Sequence, residues 1–280
     1  MLYTKLYRDG NPDICLTTFV MDAIPGMIGG EVRPAVVVCP GGGYVHLSPR
    51  EAENLAVLFN AHGFHAFVLE YSITKNPSYE TVGKVLGKAP LMDASWALAT
   101  IREHAQEWNV DPDKIAIMGS SAGGHLAAYL GTCWNDPEIV ETLGIQEGAN
   151  KPNACLLNYP VLISGEFAHQ GSLNQLIGPG RPQEDYLSVS LDRFVGEHTP
   201  PCFLWHTMED QAVPVQNSII FSLALRKYGI PFELHVFEKG AHGLSTCQAD
   251  VAGSPAGINP ETGKWMELCI TFLRRQFEMK

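Results

Sequence analysis

The sequence predicts an α/β protein with a mostly parallel, twisted sheet covered by helices on both faces, and three observations carry that expectation. Apolar runs of four to seven residues alternate with segments of helical period along most of the 280 residues. The run at 35–39 stops abruptly at Pro40 and three glycines, as a compact strand buried on two faces does. No self-similarity at a 20–50-residue period is visible, so a solenoid or propeller is not supported.

Taken in order, residues 1–20 (MLYTKLYRDGNPDICLTTFV) supply an antiparallel hairpin at one edge. Residues 35–39 (AVVVC) form a buried strand that ends at Pro40 and three glycines. Ser48-Pro49-Arg50-Glu51 has the form of a capping box with proline at the first helical position. Ala52, Leu55, Ala56 and Phe59 then recur at helical spacing until Gly63 supplies a stop. Residues 65–71 (HAFVLEY) are the next strand. Ala94, Ala97, Leu98, Ile101, Ala105 and Trp108 share one face of a single helix, and a turn at Asp111-Pro112-Asp113 leads into a strand at 115–118. A helix from Ala122, strands at 154–159 and 202–206, and a helix over 215–228 follow; a strand at 232–237 and a helix over 265–277 close the chain. Residues 162–198 are less periodic and rich in Gly, Ser and Pro, and read as a small cap or insertion over the carboxyl edge of one domain spanning 1–280. That cap and the Gly/Pro-rich stretch at 251–264 are expected to shape a pocket.

Composition narrows the function. With 45% hydrophobic and 18% charged residues, the chain is not a disordered one. Nineteen basic against 30 acidic residues give a net charge of −11, which repels phosphate backbones and anionic lipid, and no basic stripe offsets it. Nucleic-acid and membrane partners are therefore not expected. No apolar run approaches the roughly 18 residues that span a bilayer, and the first 20 residues lack the apolar core of a signal peptide. The seven cysteines are odd in number and contain no CxxC pair, so a disulfide scaffold or zinc cluster is a poor reading. A cytoplasmic protein is expected; whether it forms a homo-oligomer is left open.

The chemistry concentrates at Gly119-Ser120-Ser121-Ala122-Gly123, a GxSxG pattern between a buried strand and a helix. A nucleophile on so tight a turn sits in a strained backbone, and glycines at −2 and +2 remove the clashes beside it. Serine needs a base and an orienting carboxylate. Asp210 follows the strand CFLWH, and His242 follows the strand FELHVF in Gly240-Ala241-His242-Gly243. Both lie just past carboxyl ends of strands, where open α/β sheets place their sites. Glu209 is the rival for Asp210. The glycine triplet of Pro40-Gly41-Gly42-Gly43-Tyr44 lets backbone N–H groups approach a developing oxyanion, with Gly42 or Gly43 acting alongside Ala122. It lacks the spacing of a phosphate loop.

The remaining histidines read otherwise. His62 and His65 have an HxxH spacing with no third ligand, so no metal is implied, nor any organic cofactor. His125, one turn after Ser121, reads as structural support; His206 as a local hydrogen-bonding group; His235 as a core residue. Tyr44, Trp205 and Trp265 are either packing residues or surfaces on which a sugar ring stacks.

PGGGY, LSPREAENLA, DPDKIAIMGSSAGGHLAAYL, DQAVPVQNS and KGAHGLS together resemble the α/β-hydrolase superfamily from about residue 30 onward, and more narrowly its esterase/lipase-like proteins similar to acetyl-xylan and other carbohydrate esterases. The resemblance implies a Ser121–Asp210–His242 triad with Gly42, Gly43 and Ala122 as oxyanion donors. Pro40 stands where the HGGG loop of the lipase branch has histidine. The expected function is a serine esterase removing short acyl groups, acetyl foremost, from small-molecule esters such as acetylated oligosaccharides. Amide cleavage on the same triad, as in an arylformamidase or small peptidase, is one alternative; a non-catalytic binding protein is the other.

Overall fold

The computed structural model describes residues 1–27, 29–75 and 85–279. Among them, β1 (Lys5–Tyr7), β2 (Cys15–Phe19), β3 (Arg33–Cys39), β4 (His65–Glu70), β5 (Val110–Ser120), β6 (Ala154–Asn158), β7 (Cys202–Thr207) and β8 (Phe232–Phe237) form one sheet in the order β1-β2-β4-β3-β5-β6-β7-β8. The first two strands are the antiparallel edge expected from residues 1–20, and β2 runs antiparallel to β4. Every other pairing is parallel, with Val37 of β3 level with Phe67 of β4 and Ile117 of β5.

Strand period 2 explains how one sheet builds two cores. Val36 and Val38 point to one face, where α1 (Glu53–Ala61) and α9 (Trp265–Gln276) bring Leu55, Phe59, Trp265 and Phe272. Val37 and Cys39 point to the other, against Leu98 and Ile101 of α2 (Ala89–Glu103) and Leu126 of α4 (Ala122–Cys133). Between these two helices lies α3 (Ala105–Trp108). The same face receives Ile139 of α5 (Pro137–Leu143), Leu173 of α6 (Gln170–Ile177) and Phe221 of α7 (Gln216–Lys227). A short α8 (Pro260–Gly263) precedes the last helix. Each large apolar side chain so buried contributes roughly 1.5–3 kcal/mol before chain entropy is counted.

Three local expectations need correction. The helix read through Ala94 to Trp108 is two: His104 leaves helical geometry (φ −92°, ψ 9°) and its ring stacks on Trp108 at 4.5 Å. Asp111-Pro112-Asp113 does not precede β5 but lies inside it as a bulge, because the register with β3 jumps from Arg33–Val110 to Ala35–Ile115. Ser48 makes no side-chain cap, residues 49–51 form a 3-10 turn, and Glu51 is buried rather than reaching back over a helix end. Its carboxylate is engaged elsewhere, as described below.

The segment 162–198 carries α6 and 3-10 turns at 185–189 and 191–193, and its Leu176, Tyr186, Val189 and Leu191 are buried in the same core as α2 and α4. The seven cysteines are free thiols and six of them are buried. Among the described residues no helix is long and apolar enough to cross a membrane, and no group of three His, Cys, Asp or Glu is placed to hold a metal.

Candidate active site

Ser121 sits between β5 and α4 at φ 55°, ψ −117°, a conformation costly for an L-residue. Its neighbours over-determine it. The Ser121 N–H donates to the Asn158 carbonyl at 3.0 Å, and its own carbonyl accepts from Val161 and His125, each at 3.1 Å. A Cβ on Gly119 would run into the Gly123 carbonyl, and one on Gly123 into the carbonyls of Cys39 and Pro40. Gly123→Ala should therefore cost about 2–4 kcal/mol, since rigid backbone on both sides leaves nothing to yield. Urea unfolding reads it directly, and an unchanged midpoint would contradict the close approach.

The loops after β7 and β8 bring the other two groups to this turn. His242 Nε2 lies 2.8 Å from Ser121 Oγ, and His242 Nδ1 lies 2.6 Å from Asp210 Oδ2. The side chain of Asp210 is fully buried. Its Oδ1 accepts the N–H groups of Ala212 at 3.0 Å and Val213 at 2.8 Å, and His206 Nε2 stands 3.3 Å from Oδ2. Burial alone would push this carboxyl up, but the hydrogen bonds from His206, His242 and the Val213 N–H outweigh it and hold the group well below the usual carboxylate range. A carboxylate facing Nδ1 keeps the imidazole proton there and leaves Nε2 free to accept from the serine hydroxyl. Glu209, the rival, is exposed and bonds to Lys239 at 2.9 Å and the Gly240 N–H at 3.1 Å.

On the opposite side lies the glycine triplet. Gly41 is committed, because its N–H donates to Glu51 Oε2 at 2.9 Å. Gly42 and Gly43 have φ +129° and +67°, and a Cβ on Gly42 would strike the His46 carbonyl. They border a cleft of about 450 Å³ together with Ser121, His242, Glu51 and His169.

Sequence reading missed the last two. Glu51 Oε1 accepts from Tyr159 OH at 2.6 Å; the same phenol oxygen accepts the Ser245 N–H at 3.0 Å, and the Tyr159 ring meets that of His242 edge-on at 5.1 Å. Burial and the Glu51 charge push the Tyr159 phenol well up, so it stays a neutral donor. The SxxE spacing was read as a capping box, but the Glu51 carboxylate serves Gly41 and Tyr159 and no helix end. His169 lies in a segment with no periodicity to flag it, and only the fold brings it to the cleft.

Three other histidines have structural partners. His125 spans Tyr44 OH and the Val189 carbonyl, each at 2.9 Å; burial pushes its pKa down to about 4. His206 holds Ser218 Oγ and the Val213 carbonyl, both at 2.8 Å. His235 is half-buried against Phe203. Tyr44, Trp205 and Trp265 are fully buried, which overturns their reading as sugar-stacking surfaces. Each spends its polar atom inside: Trp205 Nε1 donates to Asn158 at 2.8 Å and Trp265 Nε1 to the Ser245 carbonyl at 3.0 Å.

The sheet order, the strand-to-helix turn at Ser121 and the loops after β7 and β8 are the architecture of an α/β hydrolase. A solved structure agrees: the acetyl ester-xyloside bifunctional hydrolase from Caldicellulosiruptor lactoaceticus matches with a TM-score of 0.79 at 33% identity, over 98% of this chain and 93% of that one. Residues 24–225 match the BD-FAE family, and the chain belongs to it. An endo-1,4-beta-xylanase B from Butyrivibrio fibrisolvens is 38% identical over 218 residues, 76% of this chain and 33% of that protein. An acetylxylan esterase from Xylanibacter ruminicola is 30% identical over 216 residues, 75% of this chain and 41% of that protein. The chain thus spans between a third and about two-fifths of the length of these curated relatives. Fold, site geometry and family together define its class as that of the α/β hydrolases.

Proposed function

We propose that the protein is a serine esterase that removes short acyl groups, acetyl foremost, from small esters such as acetylated oligosaccharides. The observation that carries this reading is the hydrogen-bonded run Ser121–His242–Asp210 opening onto the cleft. Ser121 Oγ attacks the ester carbonyl while His242 Nε2 takes its proton, and the tetrahedral oxyanion faces the N–H groups of Ala122 and of Gly42 or Gly43. His242 returns the proton to the leaving alcohol, and water then releases the acyl group from Ser121 by the same steps. Asp210 keeps the imidazole in register and stabilises its charged form.

The preference for short acyl groups follows from the walls of the cleft. Val45 is the one aliphatic side chain lining it among the described residues, the rest being glycine or polar. A long acyl chain would leave water for polar surface and gain little of the roughly 0.8 kcal/mol per methylene that apolar burial supplies. Its relatives described above, an acetylxylan esterase and an acetyl ester-xyloside hydrolase, point the same way. The test is hydrolysis of p-nitrophenyl acetate, butyrate and octanoate. Acetate should be turned over best and only with Ser121 present. Preference for octanoate would remove the short-acyl reading, and Ser121-dependent turnover of amides alone would transfer the mechanism to an amide substrate.

A further inference from the structure

His169 belongs to the segment 162–198, immediately before α6, and its ring lines the cleft that contains Ser121 and His242. Its position is fixed from behind. Leu173 and Leu176 of α6 are buried in the core, and Asn217 Nδ2 donates to the Phe167 carbonyl at 2.8 Å two residues upstream. The ring's tautomer is fixed as well. The Ser172 backbone N–H, which can only donate, is shared between the His169 carbonyl at 3.1 Å and Nδ1 at 3.3 Å, and Ser172 Oγ lies 2.8 Å from Nδ1; an acceptor Nδ1, which caps the helix, satisfies both groups of Ser172. In the neutral ring the proton is therefore on Nε2, on the edge away from the helix. Burial, with the nearby His242, pushes the pKa of His169 down, so the neutral form prevails at neutral pH. Among the described residues Nε2 has no hydrogen-bond partner.

We propose that His169 is a specificity-determining residue whose Nε2–H donates to a hydroxyl or ring oxygen on the alcohol part of the ester, selecting sugar-like alcohols over apolar ones. The inference rests on the esterase reading and deepens it. An acetyl group brings one polar atom besides the bridging oxygen, its carbonyl oxygen, and that atom is already met by the backbone donors at Ala122 and the glycine triplet. A further fixed donor in the cleft finds acceptors only on the alcohol side. A polyhydroxylated alcohol supplies them; an alkyl or aryl alcohol leaves the donor unsatisfied and is penalised for it.

The experiment compares an acetylated methyl xyloside with p-nitrophenyl acetate. His169→Ser keeps a side chain able to cap α6 but has no donor that reaches the cleft; His169→Gln restores an N–H of comparable reach. In His169→Ser the kcat/KM ratio of sugar ester to aryl ester should fall by about 3–10-fold, the worth of one neutral hydrogen bond, and His169→Gln should recover part of it. Equal losses on both esters would show that His169 serves the chemistry or the fold, and an unchanged ratio would show that it touches no substrate; either overturns the inference. Wild-type protein that cleaves only the aryl ester overturns this inference and leaves the esterase reading standing, whereas turnover of neither overturns both.

Discussion

Replacing Ser121 by alanine should lower kcat on a short-chain ester by about 10⁶, and His242→Ala should do the same. The two act as one unit: without the imidazole at 2.8 Å the hydroxyl is a poor nucleophile, and without the hydroxyl the imidazole has nothing to activate. The double substitution should consequently be no worse than either single one, which steady-state kinetics on all three variants would show. Ser120 is the control built into the sequence. It is buried and accepts from Asn158 Nδ2 at 3.4 Å within the sheet, so Ser120→Ala should retain turnover. Loss with Ser120 and retention with Ser121 would mean that the turn presents the other serine.

Asp210→Asn should lower kcat by about 10⁴ while leaving the loop in place. An amide presents an N–H toward His242 Nδ1 and favours the tautomer with its proton on Nε2, where it opposes the serine hydroxyl. The same carboxylate contributes to folding with a defined pH dependence. Its folded pKa lies below the unfolded value near 3.9, so its charged form contributes stability above about pH 4, and that contribution is lost as pH falls through the folded value. Wild type should have the higher urea midpoint at pH 7, with the gap to Asp210→Asn narrowing between pH 5 and pH 2. A gap that widens on acidification would mean that burial, rather than the hydrogen bonds from His206, His242 and Val213, dominates the carboxyl.

What could be read from residue order was whatever local physics decides. The run AVVVC is apolar on both faces, and it became a central strand with Val36 and Val37 in different cores. GSSAG announced its turn because glycine is the residue that permits two backbones to approach so closely. The placement of Asp210 and His242 beside Ser121 was legible because each follows a strand by a few residues, and a parallel sheet gathers all such loops at one edge. What stayed hidden depended on partners distant in sequence. Glu51 and Tyr159 are 108 positions apart, and the choice between capping a helix and taking a buried phenol is made by tertiary packing. His104 broke a helix whose apolar spacing was uninterrupted, since ring stacking on Trp108 leaves no periodic trace.

The Glu51 carboxylate reaches three loops at once: the glycine triplet through Gly41, the end of β6 through Tyr159, and, through the same phenol, the loop that carries His242. Hydrolysis needs the oxyanion donors and the general base to stay in fixed relation while negative charge migrates from the serine to the carbonyl oxygen and back. In most hinged sites that relation is established only when substrate arrives and its binding free energy is consumed in ordering loops. A common buried tether removes that step. The reorganisation cost is met once, during folding, so the binding free energy of a small substrate, which has few atoms to contribute, remains available for recognition.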